Sequence, residues 1–233
     1  MSPTSGVIRE AWEVYKAHWR HLLTFSFVVY AAVALIAALL GVVFDRWLAS
    51  ILGALISLVA FFWLQAALVK AVEDVRDGRA DLSLADTFDQ ARRHLSAVLV
   101  AGILAGLGII VGLILLIVPG LVLLTWWAVI IPVIVLENRS ASESFTRSRE
   151  LVRGYGWSVF GMIVLVILLL IGVDIVLDIL LSPLQEWLQG FLSQFISGTL
   201  TAPFTATVLT LLYFRLRAAK ETPAPPPPPP TPA

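Results

Sequence analysis

The sequence contains no cysteine, only three histidines and few charged residues. Without cysteine, these 233 residues can form no disulfide, no iron–sulfur cluster and no thiol-based catalytic site. The formal net charge is zero, so no overall basic field attracts nucleic acid. Charged residues make up 14% of the chain, whereas a soluble domain carries about 25%. So few charges cannot cover a globule of this size in water, and the composition favours a membrane protein.

Long apolar runs fill most of the chain. A bilayer core is about 30 Å thick, and a helix needs about 20 residues to cross it. The run at 95–136 has no charged residue and is about twice too long for one crossing, so we divide it at the turn dipeptide Pro119-Gly120. The sequence therefore predicts an all-α membrane protein with six transmembrane helices, at 22–44, 47–69, 95–118, 119–136, 158–178 and 198–214.

The distribution of cations predicts the orientation of these spans. If the six spans are correct, every Lys and Arg except Arg46 falls on one side of the membrane. We therefore expect a multi-pass protein of the cell (inner) membrane with both termini in the cytoplasm. Residues 1–218 form the predicted membrane domain, and the Pro-rich residues 219–233 a disordered cytoplasmic tail. Ala32-Val33-Ala34 resembles a signal-peptide cleavage site, but the first apolar run is too long for a signal peptide.

A short motif occurs three times, each time ahead of a hydrophobic run. In each copy an acid, a small residue and an aromatic are followed by a cation after three intervening residues. The copies are Glu10-Ala11-Trp12 with Lys16, Asp86-Thr87-Phe88 with Arg92, and Glu143-Ser144-Phe145 with Arg149. We predict that each copy forms a short cytoplasmic amphipathic helix before a transmembrane hairpin, which gives three hairpins. The alternative is convergence, since many helices beside a membrane carry aromatics and cations.

The loop after the fifth span has its own amphipathic pattern. Residues 183–197 place apolar side chains at helical spacing, with Pro183 suited to a first helical position. We predict an outer-face helix that lies on the membrane surface, or alternatively one that covers an outward cavity. The predicted membrane-interface anchors of the chain are Trp12, Trp19, Phe88, Phe145, Trp157 and Trp187.

Two acids in the fifth span are the candidate ion or proton site. Asp174 and Asp178 share one helix face, and an acid within lipid normally faces a cavity or a partner. The alternative is that the span ends early and both acids are solvated. The sequence has no H-E-x-x-H, P-loop or G-x-S-x-G motif, and His18 with His21 fit headgroup-level imidazoles better than metal ligands. We predict no catalytic, cofactor-binding or metal site, and no enzymatic activity.

The stretch 119–165 resembles a bacterial membrane-domain family. The domain occurs attached to some glycerophosphoryl diester phosphodiesterases and also as a stand-alone, uncharacterised integral membrane protein. The residues that carry the resemblance are Pro119-Gly120, Trp126, Pro132, Glu137, Ser140, Phe145, Arg147-Ser148, Leu151-Val152, Gly154 and Trp157. The resemblance implies a multi-helix membrane domain of unestablished activity. It does not imply phosphodiesterase activity, because in that family the enzyme is a separate soluble barrel.

These features together predict a non-enzymatic integral membrane protein. We expect a structural, lipid-associated or partner-binding module whose partners are the lipid bilayer and another membrane or envelope protein, and not nucleic acid. The alternative is a transporter or channel with a polar site at Asp174 and Asp178. An intramembrane enzyme ranks third, because no nucleophile–base pair or metal set is visible in the sequence.

Overall fold

The computed structural model describes residues 3–76 and 83–221, and within these ranges the chain is helical and contains no strand. The helices are α1 Val7–Ala17, α2 Trp19–Val43, α3 Arg46–Arg76, α4 Leu84–Leu115, α5 Ile117–Trp126, α6 Ile130–Glu137, α7 Ala141–Val152, α8 Gly156–Leu181 and α9 Glu186–Glu221. The predicted tail at 219–233 overlaps the end of α9, and its residues from 222 onward lie outside the described ranges.

Six helical stretches are long and apolar enough to cross a membrane. They are Trp19–Val43, Arg46–Arg76, Leu84–Leu115, Ile117–Glu137, Gly156–Leu181 and Glu186–Glu221. Large apolar side chains on these helices are exposed, among them Val42 at 85% and Ile114 at 78%. Such a surface matches a hydrocarbon environment rather than water. The predicted all-α class and the six helices of spanning length are therefore confirmed for the described part of the chain.

The second motif copy is not a separate helix. Residues 84–94 form the beginning of α4, which continues without a break into the apolar run. Nothing between Leu84 and Leu115 lacks an N–H or needs an unusual backbone conformation, so no residue ends the helix. The first and third copies do form separate helices. α1 ends before His18. α7 ends before Gly154, whose φ of 92° glycine adopts without strain.

The long uncharged run breaks at Leu116 rather than at Pro119. Pro119 is the third residue of α5, where the missing N–H would have no partner inside the helix. Gly120 instead serves close packing, because a Cβ on it would lie 2.6 Å from the Leu113 backbone nitrogen. A second break, at 127–129, separates α5 from α6 just before Pro132, which lies in the first turn of α6.

The predicted outer-face helix at 183–197 and the sixth span form one helix. α9 begins at Glu186, after a turn that contains Pro183, and runs through Pro203 to Glu221. Gly198 lies within α9 and allows close packing, because a Cβ on it would lie 2.4 Å from Tyr30 Cζ. α9 packs against α1, α2, α3, α6, α7 and α8. It contributes much of the core, including Val208, Leu212, Tyr213 and Leu216, which are fully buried.

Candidate functional site

The most connected polar group of the structure surrounds Glu137 at the end of α6. Its side chain is only 10% exposed. Arg139 Nε donates to Oε2 at 2.8 Å, Arg147 Nε donates to both oxygens at 3.0 Å, and the Tyr213 hydroxyl donates to Oε1 at 3.1 Å. A carboxylate this buried needs such partners, since an unpaired buried charge costs several kcal/mol.

Arg147 extends this cluster from α7 to α9. Its Nη2 donates to Glu221 at 2.5 Å, and Arg217 Nε donates to the other oxygen of Glu221 at 2.8 Å. Burial alone would lower the pKa of Arg147, but the hydrogen bonds and charges of Glu137 and Glu221 outweigh it and raise that pKa. The cluster therefore ties α7 to the ends of α6 and α9, and each of its charged side chains has an oppositely charged partner. We call this region, with Glu137, Arg147, Arg217 and Glu221, the charged end of the bundle.

Local sequence positions α7 for these contacts. Asn138 turns the chain with a φ of 51°, and Ser140 and Glu143 form a capping box in which each side chain accepts from the other's backbone N–H. The hydrogen bonds from Ser140 lower the pKa of Glu143. Further along α7, the Ser148 hydroxyl donates to the Trp126 carbonyl at 2.7 Å. α7 is thus fixed to α5 on one side and to α6 and α9 on the other.

In all three motif copies the small residue is buried more completely than the aromatic that follows it. Ala11, Thr87 and Ser144 are all 0% exposed. The residues four positions later, Tyr15, Ala91 and Ser148, are also buried. The buried face is therefore rotated by one residue, about 100°, from the face that the aromatics define. The small side chain at this position lets each copy approach its neighbouring helix closely.

The predicted interface anchors divide into two groups. Trp12, Trp19, Trp157 and Trp187 are 48–88% exposed. Phe88 and Phe145 instead pack inside the protein, where Phe88 contacts Trp63 at 5.1 Å and Phe145 contacts Trp127 at 4.9 Å between ring centroids. An aromatic ring prefers such edge-to-face contacts when another ring is available.

Asp174 and Asp178 lie opposite two serines of α9. Ser197 Oγ donates to Asp174 Oδ1, and Ser193 Oγ donates to Asp178 Oδ1 at 2.8 Å. The two aspartates and the two serines are each spaced i,i+4, so the hydrogen bonds join α8 to α9 at two successive turns. Both aspartates are exposed on the protein surface, and neither lines the clefts described below. The structure thus brings the two candidate acids together and gives each a hydroxyl partner.

Metal-binding geometry is absent from residues 3–76 and 83–221, where no three His, Asp or Glu side chains come close enough to hold an ion. His18 and His21 are engaged separately. His18 Nδ1 lies 3.3 Å from the Val14 carbonyl oxygen, and the His21 ring packs edge-on against Phe25 at 5.0 Å.

Clefts open on the sides of the described bundle, and two of them are large enough to hold a ligand. The α2/α3 cleft has a volume of about 520 Å³ and is lined by Val28, Val29, Ala32, Val33, Ile36, Leu55, Ile56, Val59, Ala60, Trp63 and Phe88. The α5/α8 cleft has a volume of about 690 Å³ and is lined by Val118, Leu121, Val122, Thr125, Trp126, Gly154, Tyr155, Gly156, Trp157, Ser158 and Phe160. No charged residue lines either cleft, so both are shaped for hydrocarbon.

Sequence reasoning did not single out Tyr213, Glu221 or the two clefts. Tyr213 carried a usable signal, because a tyrosine in an apolar helix needs a partner for its hydroxyl. The clefts carried none, since their lining residues resemble every other lipid-facing residue. No protein-family model, no curated protein and no solved structure matches this chain.

Proposed function

We propose that this chain is a non-enzymatic, multi-pass membrane module that associates with bilayer phospholipid. The observation that carries the proposal is the α2/α3 cleft. Its volume of about 520 Å³ lies within the range of about 300–1,000 Å³ that is typical of ligand sites. Its lining is aliphatic apart from Trp63 and Phe88 at one end, and the Trp63 N–H is already donated to the Phe88 carbonyl at 3.1 Å. Such a site offers contact to an acyl chain and no polar group for a soluble ligand.

The proposed architecture is three hairpins in the cell membrane with both termini in the cytoplasm. Support comes from the contacts between α2 and α3, between α4 and α5, and between α8 and α9. Further support comes from the charged end, where residues of α6, α7 and α9 form ion pairs, and from the ion pair between Glu10 of α1 and Arg215 of α9. These pairs lie on the side that holds nearly all cations. We propose that the three motif copies lie at this face and dock the hairpins onto α9 and its neighbours.

We keep the resemblance to the phosphodiesterase-associated membrane domain as part of the proposal. Glu137, Ser140, Arg147 and Ser148, which carry the resemblance, fall at the α6–α7 junction and take part in its hydrogen bonds. Their roles in the structure are to hold helices together, which accords with a module that binds lipid or a membrane partner rather than one that performs a reaction.

Native mass spectrometry of the chain purified in a mild detergent tests this function. We expect phospholipid to remain bound to the wild-type protein. Ala60→Phe, which fills the α2/α3 cleft, is expected to reduce the bound lipid, whereas Ala54→Phe, on the same helix but outside the cleft, is the matched control. Equal lipid retention by both variants, or none by the wild type, would contradict the proposal. Purified protein is expected to hydrolyse no glycerophosphodiester above the background rate.

A transporter or channel is the second candidate, favoured by the two Asp–Ser pairs between α8 and α9. It predicts an ion- or pH-dependent flux in proteoliposomes that Asp174→Asn abolishes. We rank it second because both aspartates are exposed and neither borders a described cleft. Absence of flux from the wild-type protein would remove it.

A further inference from the structure

The α5/α8 cleft is apolar along its length and opens at the protein surface. On α5 it extends from Val118 to Trp126, roughly 12 Å at ~1.5 Å per residue. Its opposite wall is the start of α8, from Gly156 to Phe160. Val118 is 70% exposed and Trp157 is 88% exposed, so the cleft is open to the surrounding bilayer rather than enclosed.

Two cations lie against aromatic rings that line this cleft. The Arg149 guanidinium carbon is 4.1 Å from the centroid of the Trp126 ring, and Lys220 Nζ is 5.6 Å from the centroid of the Tyr155 ring. Contact with a ring face leaves the N–H groups of a guanidinium or ammonium available to an anion. The two cations come from α7 and α9, which the cluster around Arg147 holds together.

Neither cation has an ion-pair partner among residues 3–76 and 83–221. Their neighbours differ in this respect, since Arg147 pairs with Glu137 and Glu221, and Arg217 pairs with Glu221. The α2/α3 cleft also differs, because none of the cation–ring contacts of the described chain involves Trp63 or Phe88. Positive charge without a counter-charge is therefore combined with an apolar cleft at this place.

We propose that the α5/α8 cleft binds one anionic glycerophospholipid from the cytoplasmic leaflet, with its phosphate at Arg149 and Lys220. One acyl chain lies between Val118, Val122 and Phe160, and the exposed Trp157 ring lies at headgroup level. Anionic lipid matches two uncompensated cations, whereas a zwitterionic headgroup brings its own cation to them. This inference rests on the proposed function and specifies its ligand and its site.

The test compares two phospholipids with the same acyl chains on the full-length protein. The protein is placed in nanodiscs that contain phosphatidylglycerol and phosphatidylcholine in equal amounts. After the protein is released from the nanodiscs, native mass spectrometry counts the molecules of each phospholipid that remain bound to it. We expect the wild type to prefer phosphatidylglycerol. A cation near an anionic surface contributes about 1 kcal/mol, which is about fivefold, so Arg149→Gln with Lys220→Gln should lower the preference roughly 25-fold.

The chain supplies a matched control. Arg20 lies over the Trp19 ring at 5.3 Å and Lys16 over the Trp12 ring at 5.7 Å, away from both clefts. Arg20→Gln with Lys16→Gln removes the same charge and the same type of contact, and should leave the preference unchanged. An equal loss in both double variants would overturn the site, because general surface charge would then explain it.

Photo-crosslinking locates the acyl chain. Phosphatidylglycerol with a diazirine in one chain should attach to residues 118–126 and 155–160. Attachment only to residues 28–63 would overturn the inference while leaving the proposed function intact, as would retention of lipid without headgroup preference. If the wild-type protein retained no lipid at all, both this inference and the proposed function would be overturned. Displacement of the bound lipid by millimolar inorganic phosphate would identify a soluble anion as the ligand and overturn the lipid assignment.

Discussion

Arg147 on α7 donates from Nε to both carboxylate oxygens of Glu137, at 3.0 Å each, across the turn that joins α6 to α7. Its Nη2 reaches Glu221 at the end of α9, so one side chain links α7 to the ends of α6 and α9. The Arg147 side chain is 19% exposed and that of Glu137 is 10% exposed, so water screens this pair little. Arg149 belongs to the same helix as Arg147, and Lys220 precedes Glu221 on α9, so the proposed lipid site depends indirectly on this pair.

Arg147→Met should destabilise the protein by about 2–3 kcal/mol. The substitution leaves Glu137 buried with only Arg139 and Tyr213 as partners, and loss of one member of a buried pair costs up to about 3–5 kcal/mol. The free energy of unfolding can be measured by SDS titration in mixed micelles. Adding Glu137→Gln should recover part of the loss, because the buried charge is then gone. A double variant less stable than Arg147→Met would contradict this account.

Gly102→Ala should destabilise the protein by about 1–3 kcal/mol, whereas Gly106→Ala should not. A Cβ on Gly102 would lie 2.0 Å from Phe62 Cε1, so the ring must move in a packed core. Nothing lies within 4 Å of a Cβ on Gly106, and alanine favours the helix. Both glycines belong to the same G-x-x-x-G pattern of α4, so Gly106→Ala is the matched control for Gly102→Ala. Equal stability of the two variants would show that Gly102 does not set the contact between α3 and α4.

Tyr15→Phe should cost about 1 kcal/mol through loss of one hydrogen bond. The Tyr15 hydroxyl donates to the Leu200 carbonyl at 3.1 Å, close to Pro203, which cannot donate to the turn before it. Burial raises the pKa of Tyr15, so the hydroxyl stays protonated as a donor. Tyr155→Phe is the control, because the Tyr155 hydroxyl has no hydrogen-bond partner within the described ranges. The melting temperature in detergent can be measured for both variants. An equal decrease in Tyr15→Phe and Tyr155→Phe would show that the hydrogen bond to the Leu200 carbonyl does not stabilise the protein.

The sequence predicted the helices of spanning length well, because the lipid environment alone requires an apolar run to be helical. An apolar run of about 20 residues must be helical in lipid, because its peptide groups have no water to bond. The six stretches of spanning length follow from this rule. Helix ends follow it less closely, and α4 and α9 show why. Nothing local stops the backbone at residue 95 or 198, so the predicted surface helices continue into the apolar runs.

The polar contacts were beyond sequence reasoning because they join distant positions. Glu137 and Tyr213 are 76 residues apart in the chain, and Arg147 and Glu221 are 74 apart. The direction in which each motif copy faces was also hidden, since Ala11, Thr87 and Ser144 have little hydrophobicity to reveal burial. A small residue is buried where two helices approach closely, whatever its hydrophobicity. Hydrophobic periodicity therefore does not detect it.

The capping box of α7 should make stability depend on acid pH. Hydrogen bonds from Ser140 lower the pKa of Glu143 in the folded protein, so this carboxylate stabilises the fold fully above its unfolded pKa. The contribution is lost as pH falls through the lower, folded pKa. Wild type should therefore melt above Glu143→Gln at neutral pH, and the difference should shrink below about pH 4. A difference that stays constant from pH 7 to pH 3 would contradict the prediction.

The orientation can be tested without background, because the chain has no cysteine of its own. Ser142 lies at the start of α7 near the charged end, and Ser182 lies just after α8 at the other end of the bundle. Both side chains are exposed. Because nearly all Lys and Arg fall on the side of Ser142, the cation distribution predicts that this side faces the cytoplasm.

A membrane-impermeant maleimide should then label Ser182→Cys in intact cells, and should label Ser142→Cys only after the membrane is opened. The reverse pattern would invert the protein and place Arg149 and Lys220 at the opposite leaflet, and labelling of both in intact cells would mean that the number of crossings between them is even.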